Sequence, residues 1–178
     1  QKLSFFGEEA LLSSRERPSF EIDARSRRSE NRARIGVGYA VTSKTTIEFS
    51  AQRTTHDFDQ DAQFFGTNLR TSLKRKSTGY DLTTRVKLTP KTSIVVDATS
   101  QKDRFDFSPA KNADRLRILP GLVFSPRALI SGSFQIGFQR FRTLDAAVAD
   151  YTGVLASTEL GYKFGLQELT ARWTRDVA

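Results

Sequence analysis

The sequence has no cysteine, so no disulfide holds the chain; the sheet or core must do that alone. It has no methionine either, even at position 1, and the expectation is a processed chain or a fragment. Residues Gln1 to Ala10 carry one lysine and only a short apolar patch, which excludes a recognisable signal peptide there. Nowhere does an apolar run approach the ~18 residues that a membrane-spanning helix needs. That excludes a helical span but not a strand, which crosses in ~9–11 residues and turns half of them toward a polar lumen. Acid is also in short supply. Twenty Asp and Glu face 28 Lys and Arg, and the net charge of +8 points to acidic partners: nucleic acid, anionic headgroups or an anionic solute.

What the chain does have is alternation. In Ala33–Val41, Ala33, Ile35, Val37, Tyr39 and Val41 fall on one face, and Arg34, Gly36, Gly38 and Ala40 on the other. In Tyr80–Leu88, Tyr80, Leu82, Val86 and Leu88 oppose Asp81, Arg85 and Lys87. A period of two marks a strand that meets two different environments. The pattern predicts strands over 19–27, 32–41, 45–54, 77–88, 92–102, 115–124, 128–141, 154–164 and 168–175. Polar turns at 42–44, 89–91, 125–127 and near Gly165 alternate with longer loops at 28–31, 56–76, 103–114 and 142–153. Thr42-Ser43-Lys44, Thr89-Pro90-Lys91 and Ser125-Pro126-Arg127 form a loose repeat, each a polar turn closing on a cation. Such a repeat suits an up-and-down meander of hairpins. Residues 1–18 do not alternate; they read as an N-terminal extension with a possible short helix over 7–12, ended by Pro18.

The fold expected is therefore all-β, an antiparallel up-and-down transmembrane β-barrel over residues 19–178. Nine strands is an odd count where single-chain bacterial barrels are even, and the expectation is part of a larger barrel. The apolar face would place Phe20, Tyr39, Phe49, Tyr80, Phe124, Phe134, Phe138, Tyr162, Phe164 and Trp173 toward lipid, with those near strand ends forming a girdle. The polar face would turn Glu21, Asp23, Arg25, Arg27, Arg32, Arg34, Glu48, Asp81, Arg85, Lys87, Asp97, Arg115, Arg117, Glu159, Lys163 and Arg172 toward the lumen. These charges could pair across strands or bias a water-filled lumen toward anions. The competing fold is a soluble sandwich, which would bury the same aromatics between sheets but has no need of alternating loop lengths.

Other features carry less chemistry. His56-Asp57 could be a base and its orienter, but no nucleophile stands beside it, and it reads as a solvated loop pair. Asp57, Asp59 and Asp61 alternate without the glycine and terminal glutamate of a calcium loop. Arg70, Lys74, Arg75 and Lys76 form a basic cluster suited to lipopolysaccharide phosphates, and no nucleic-acid-binding motif accompanies it. Phe64-Phe65-Gly66 and Phe105-Asp106-Phe107 are aromatic loop motifs that either cap the barrel or pack the loops. No cofactor, metal or enzymatic activity is implied.

Phe105-Asp106-Phe107-Ser108-Pro109, Leu119-Pro120-Gly121-Leu122, Ala128 to Phe138 and Asp150-Tyr151-Thr152-Gly153-Val154 carry a family resemblance. The stretch from Ser77 to Ala178 resembles outer-membrane porins of Gram-negative bacteria of the β-barrel porin 2 type. The resemblance implies a barrel longer than this chain and no catalytic residues. The function expected is a passive pore for small hydrophilic solutes in the outer membrane. Its partners would be outer-membrane lipid, lipopolysaccharide and possible outer-membrane or periplasmic subunits. The alternatives are a non-conducting anchor in a surface assembly and a soluble basic β-sheet binding module.

Overall fold

Alternating side chains and short polar turns lay the chain down as one antiparallel sheet of nine strands. A computed structural model describes residues 2–14, 28–125, 130–165 and 167–176. The strands are β1 (Leu3–Ser14), β2 (Arg28–Ala40), β3 (Thr45–Phe58), β6 (Arg75–Thr89), β7 (Thr92–Phe105), β8 (Ala113–Phe124), β9 (Ile130–Thr143), β10 (Tyr151–Phe164) and β11 (Gln167–Arg175). Between β3 and β6 lie a two-stranded hairpin, β4 (Gln63–Phe64) and β5 (Thr67–Asn68), and one helical turn, α1 (Leu69–Leu73). Each strand of the large sheet bonds to its neighbours in sequence, so the meander is up-and-down as expected. Among the described residues the sheet is open, with β1 and β11 as its edges.

Connections alternate in length. Among the fully described connections, 41–44 and 90–91 are short, and 59–74, 106–112 and 144–150 are longer. The first two short turns use the same device. Thr42 Oγ1 accepts from the amides of Lys44 and Thr45 at 3.1 and 3.0 Å, and Thr89 Oγ1 accepts from the amide of Lys91 at 3.2 Å. A threonine hydroxyl holding the backbone two residues on is a recognised turn former.

Two expectations change. Leu3–Ser14 is strand β1, paired with β2 along its whole length, rather than an extension with a helix. Phe5-Phe6, Glu8-Glu9 and Leu11-Leu12 put like residues on both faces, so the segment forms a ladder without showing alternation. The predicted strand over 19–27, with Phe20, Glu21, Asp23, Arg25 and Arg27, lies outside the described residues. The strands also run further toward the long loops than predicted. Arg28–Asn31, Thr55–Phe58, Arg75–Lys76, Asp103–Phe105, Ala113–Asp114, Arg142–Thr143 and Tyr151–Gly153 are all in strands. There charged and polar residues occupy both faces, so pairing continues where apolar alternation has stopped.

Burial across this sheet is inverted. Ser50, Thr54, Ser77 and Gln139 are buried, and all lie on the polar face. The apolar face stays open, with Ile35 68 %, Phe49 44 %, Leu82 43 % and Trp173 56 % exposed. Among the described residues no second layer covers it. The hydrophobic cluster off the sheet's main body is Phe58, Ala62 and Leu69 with Leu73, under the β3–β6 loop. Exposed apolar patches of soluble monomers rarely exceed a few hundred Å². A whole apolar sheet face left uncovered is what a sandwich would not leave.

One local irregularity is explained by a proline. Pro120 has no N–H to give, and the β8–β9 pairing is interrupted between Ile118↔Phe138 and Gly121↔Gln135 while its register is unchanged. At this gap the strands approach closely. A Cβ built on Gly137 would stand 1.9 Å from the Ile118 carbonyl oxygen.

Candidate functional site

Cross-strand register assembles the polar face in rows. One row runs Glu30, His56, Arg75, Phe105; the next Arg32, Thr54, Ser77, Asp103. Below them run Arg34, Gln52, Gly79, Gln101, Arg115, Phe141 and then Gly36, Ser50, Asp81, Thr99, Arg117, Gln139. Toward the short turns come Glu48, Thr83, Asp97, Leu119, then Arg85 and Lys87, and on β10 and β11 Glu159, Lys163 and Arg172. Every described residue predicted for the polar face is there. Tyr39, Phe49, Tyr80, Phe124, Phe134, Phe138, Tyr162, Phe164 and Trp173 all fall on the opposite face.

The middle of the polar face is a hydrogen-bonded network. Arg34 donates from Nε and Nη2 to Ser50 Oγ at 3.2 and 3.0 Å. Ser50 Oγ donates to Asp81 at 3.4 Å, and Thr99 Oγ1 donates to the same carboxylate at 2.9 Å. Asp97 accepts from Thr83 Oγ1 and from Gln135 Nε2, both at 2.7 Å. Hydroxyls and amides therefore hold these carboxylates across neighbouring strands and stiffen the wall. At the far edge Arg172 and Glu159 pair at 2.7 Å across β10 and β11.

The end nearer the long loops is different in charge. Arg28, Arg32, Arg34, Arg75, Arg115 and Arg117 gather there, all on the polar face. Glu30 is held by Arg32 at 3.0 Å and lies 3.4 Å from His56 Nδ1. Asp103 accepts from the Ser77 hydroxyl and from Gln101 Nε2. Arg75, Arg115 and Arg117 have no carboxylate partner among the described residues; Arg75 and Arg115 lie over the Phe105 and Phe141 rings, each 5.8 Å from the centroid. Among the described residues the buried Nε atoms of Arg28, Arg75, Arg115 and Arg117 have no acceptor. A buried donor left unpaired costs about 1–3 kcal/mol, so these positions are tolerated only with a compensating acceptor or solvent.

A cavity of about 150 Å³ opens among these arginines, lined by Arg32, Gln52, Thr54, His56, Arg75, Ser77, Gly79 and Gln101. Two of these, His56 and Arg75, fall in the stretch 56–76 that the sequence predicts as a loop. Their signal was there: Glu30, Arg32 and Arg34, like Arg75, Ser77 and Gly79, continue the period of two through polar residues.

The basic cluster of 70–76 does not form one patch. Arg70 sits on α1, and it and Lys74 hold Asp57 at 3.4 and 2.9 Å. Arg75 turns to the polar face and Lys76 to the other, where it meets Asp106 at 3.3 Å. His56 and Asp57 likewise part company on opposite faces of β3, so they are no base and orienter. The loop is built rather than loose. Phe65 and Gly66, with φ of 46° and 75°, make a two-residue turn between β4 and β5, and Asn68 caps α1. Phe65 at the tip is 93 % exposed. Ser108 donates to the Thr71 carbonyl and Lys111 to that of Ser72, joining the 59–74 and 106–112 loops.

A family model described as "Putative beta-barrel porin 2" matches residues 9–172, from β1 through most of β11. No curated protein and no solved structure matches the chain. The matched span contains the meander, the alternating loops and both faces, and the chain belongs to this β-barrel porin family.

Proposed function

We propose that the chain forms wall of an outer-membrane β-barrel and makes a passive pore for small hydrophilic solutes. The observation that carries this is the inverted burial, with aromatics and aliphatics open on one face and charge gathered on the other. On β10 the apolar face runs from Val154 to Phe164. Ten steps of ~3.4 Å give about 34 Å, and a ~40° tilt reduces that to about 26 Å, close to the apolar band of a bacterial barrel.

Beyond this band, Arg53, Lys76, Lys102, Arg104, Arg140 and Arg142 occupy the apolar side's long-loop margin. Their level suits contact with lipid and lipopolysaccharide phosphates. This margin replaces the 70–76 cluster as the proposed meeting point. The reading gives the chain no catalytic step and no nucleic-acid partner.

A second reading, a plugged barrel that anchors a surface assembly, draws on one observation. Val95, Leu119 and Leu155 are buried on the polar face, where they narrow any lumen. Reconstitution into planar bilayers separates the two. The pore reading expects discrete conductance steps from the purified chain; a silent bilayer with correctly inserted protein sinks it and favours the anchor.

A further inference from the structure

We propose that the polar face binds a small oxyanion, a phosphate, sulfate or carboxylate group, in the cavity between Arg32 and Arg75. The inference rests on the reading of that face as a wetted wall and names what the wall selects. Room, charge and donors coincide there. The room comes from Gly79, where a Cβ would stand 3.0 Å from the Gln52 side chain. At about 150 Å³ the cavity holds one small oxyanion and a few waters, each water taking roughly 30 Å³.

Of the two cations, Arg32 is paired with Glu30, and Arg75 is the one without a counter-charge in contact among the described residues. Asp103, in the next row, is held by the neutral Ser77 and Gln101. Neither carboxylate lines the cavity. Among the described residues Arg75 has no carboxylate partner, and its Nε has no acceptor. Water in the cavity would leave the guanidinium charge unbalanced. An oxyanion balances it, and two oxygens match the planar fork of N–H donors. The bond of Arg32 to Glu30 uses Nη2 and leaves other donors of its guanidinium. Gln52 and Thr54 complete a polar lining, while the Gln101 amide is engaged by Asp103. The cavity opens on the face opposite the apolar one, so the ligand comes from solution rather than from a lipid headgroup.

The test is isothermal titration of inorganic phosphate into the folded full-length chain, at low salt, in neutral micelles free of phospholipid. Saturable binding is expected. Arg75→Gln should weaken it about tenfold or more through loss of a charge-assisted bond. Arg75→Lys, which keeps the charge and loses the fork, should weaken it several-fold and serves if the glutamine variant fails to fold. Lys91→Gln removes one positive charge from an exposed short turn at the other end of the sheet and should change nothing. No saturable binding to the wild-type chain, or equal weakening by Lys91→Gln, overturns the proposal. Displacement of phosphate by phosphatidylglycerol in the micelles overturns the solution origin of the ligand. Conductance is not needed for this measurement. Phosphate binding by a non-conducting protein would remove the pore and leave the site; conductance without binding would do the reverse.

Discussion

Arginine in place of Leu82 is expected to lower folding stability in a bilayer by about 2–4 kcal/mol, the range for a charged side chain near the midplane of a barrel's lipid face. Leu82 lies within the β6 run from Tyr80 to Leu88, and its side chain is on the apolar face, 43 % exposed. In a water-soluble sheet, a residue that open would accept arginine within about 0.5 kcal/mol, or with a gain in solubility. The neighbouring Thr83 turns to the polar face and donates to Asp97. Thr83→Arg brings a cation to that carboxylate and meets no lipid, so it should cost under about 1 kcal/mol. Denaturant titration in lipid vesicles, following Trp173 fluorescence, measures both. Equal and small effects at the two positions would remove lipid from the apolar face.

Gly137→Leu is expected to be strongly destabilising. Its Cβ would fall 1.9 Å from the Ile118 carbonyl oxygen and 2.9 Å from the carbonyl carbon, both backbone atoms of the next strand. No rotamer relieves such an overlap; β8 and β9 must separate where Pro120 already interrupts their ladder. Overpacking of this kind costs typically 1–3 kcal/mol, and the upper end, about 3 kcal/mol, is expected because the obstacle is backbone. The readout is the urea midpoint in micelles or vesicles. Gly66→Ala is the contrast: a Cβ there meets nothing within 4 Å, and only the positive φ opposes it.

The two faces were legible from the sequence because side-chain direction has a fixed period. Tyr80, Leu82, Val86 and Leu88 against Asp81, Arg85 and Lys87 needs no tertiary information. The turns were legible for a similar reason, since Thr89-Pro90-Lys91 carries its own geometry. Strand β1 was not legible. Its doublets Phe5-Phe6 and Glu8-Glu9 erase the period, and what makes it a strand is its partner: Phe6 covers Gly36 and lies 5.3 Å from the Arg34 guanidinium. The candidate anion site was half legible. Arg32 was placed on the polar face, while Arg75 and His56 were assigned to a loop because their neighbours are polar on both sides. Only the register, which sets Arg75 opposite His56, brings them together.

The meander has a consequence for motion. Each strand of the large sheet is hydrogen-bonded only to strands adjacent in sequence, and among the described residues nothing ties β1 to β11. Loss of an outer strand therefore exposes the next one without disturbing those further in, as in a zip opened from its ends. Contacts this local favour hairpin-by-hairpin assembly. Amide hydrogen exchange of the chain on its own should then be graded by position rather than uniform: slowest in β7 at the centre, and faster strand by strand toward both edges.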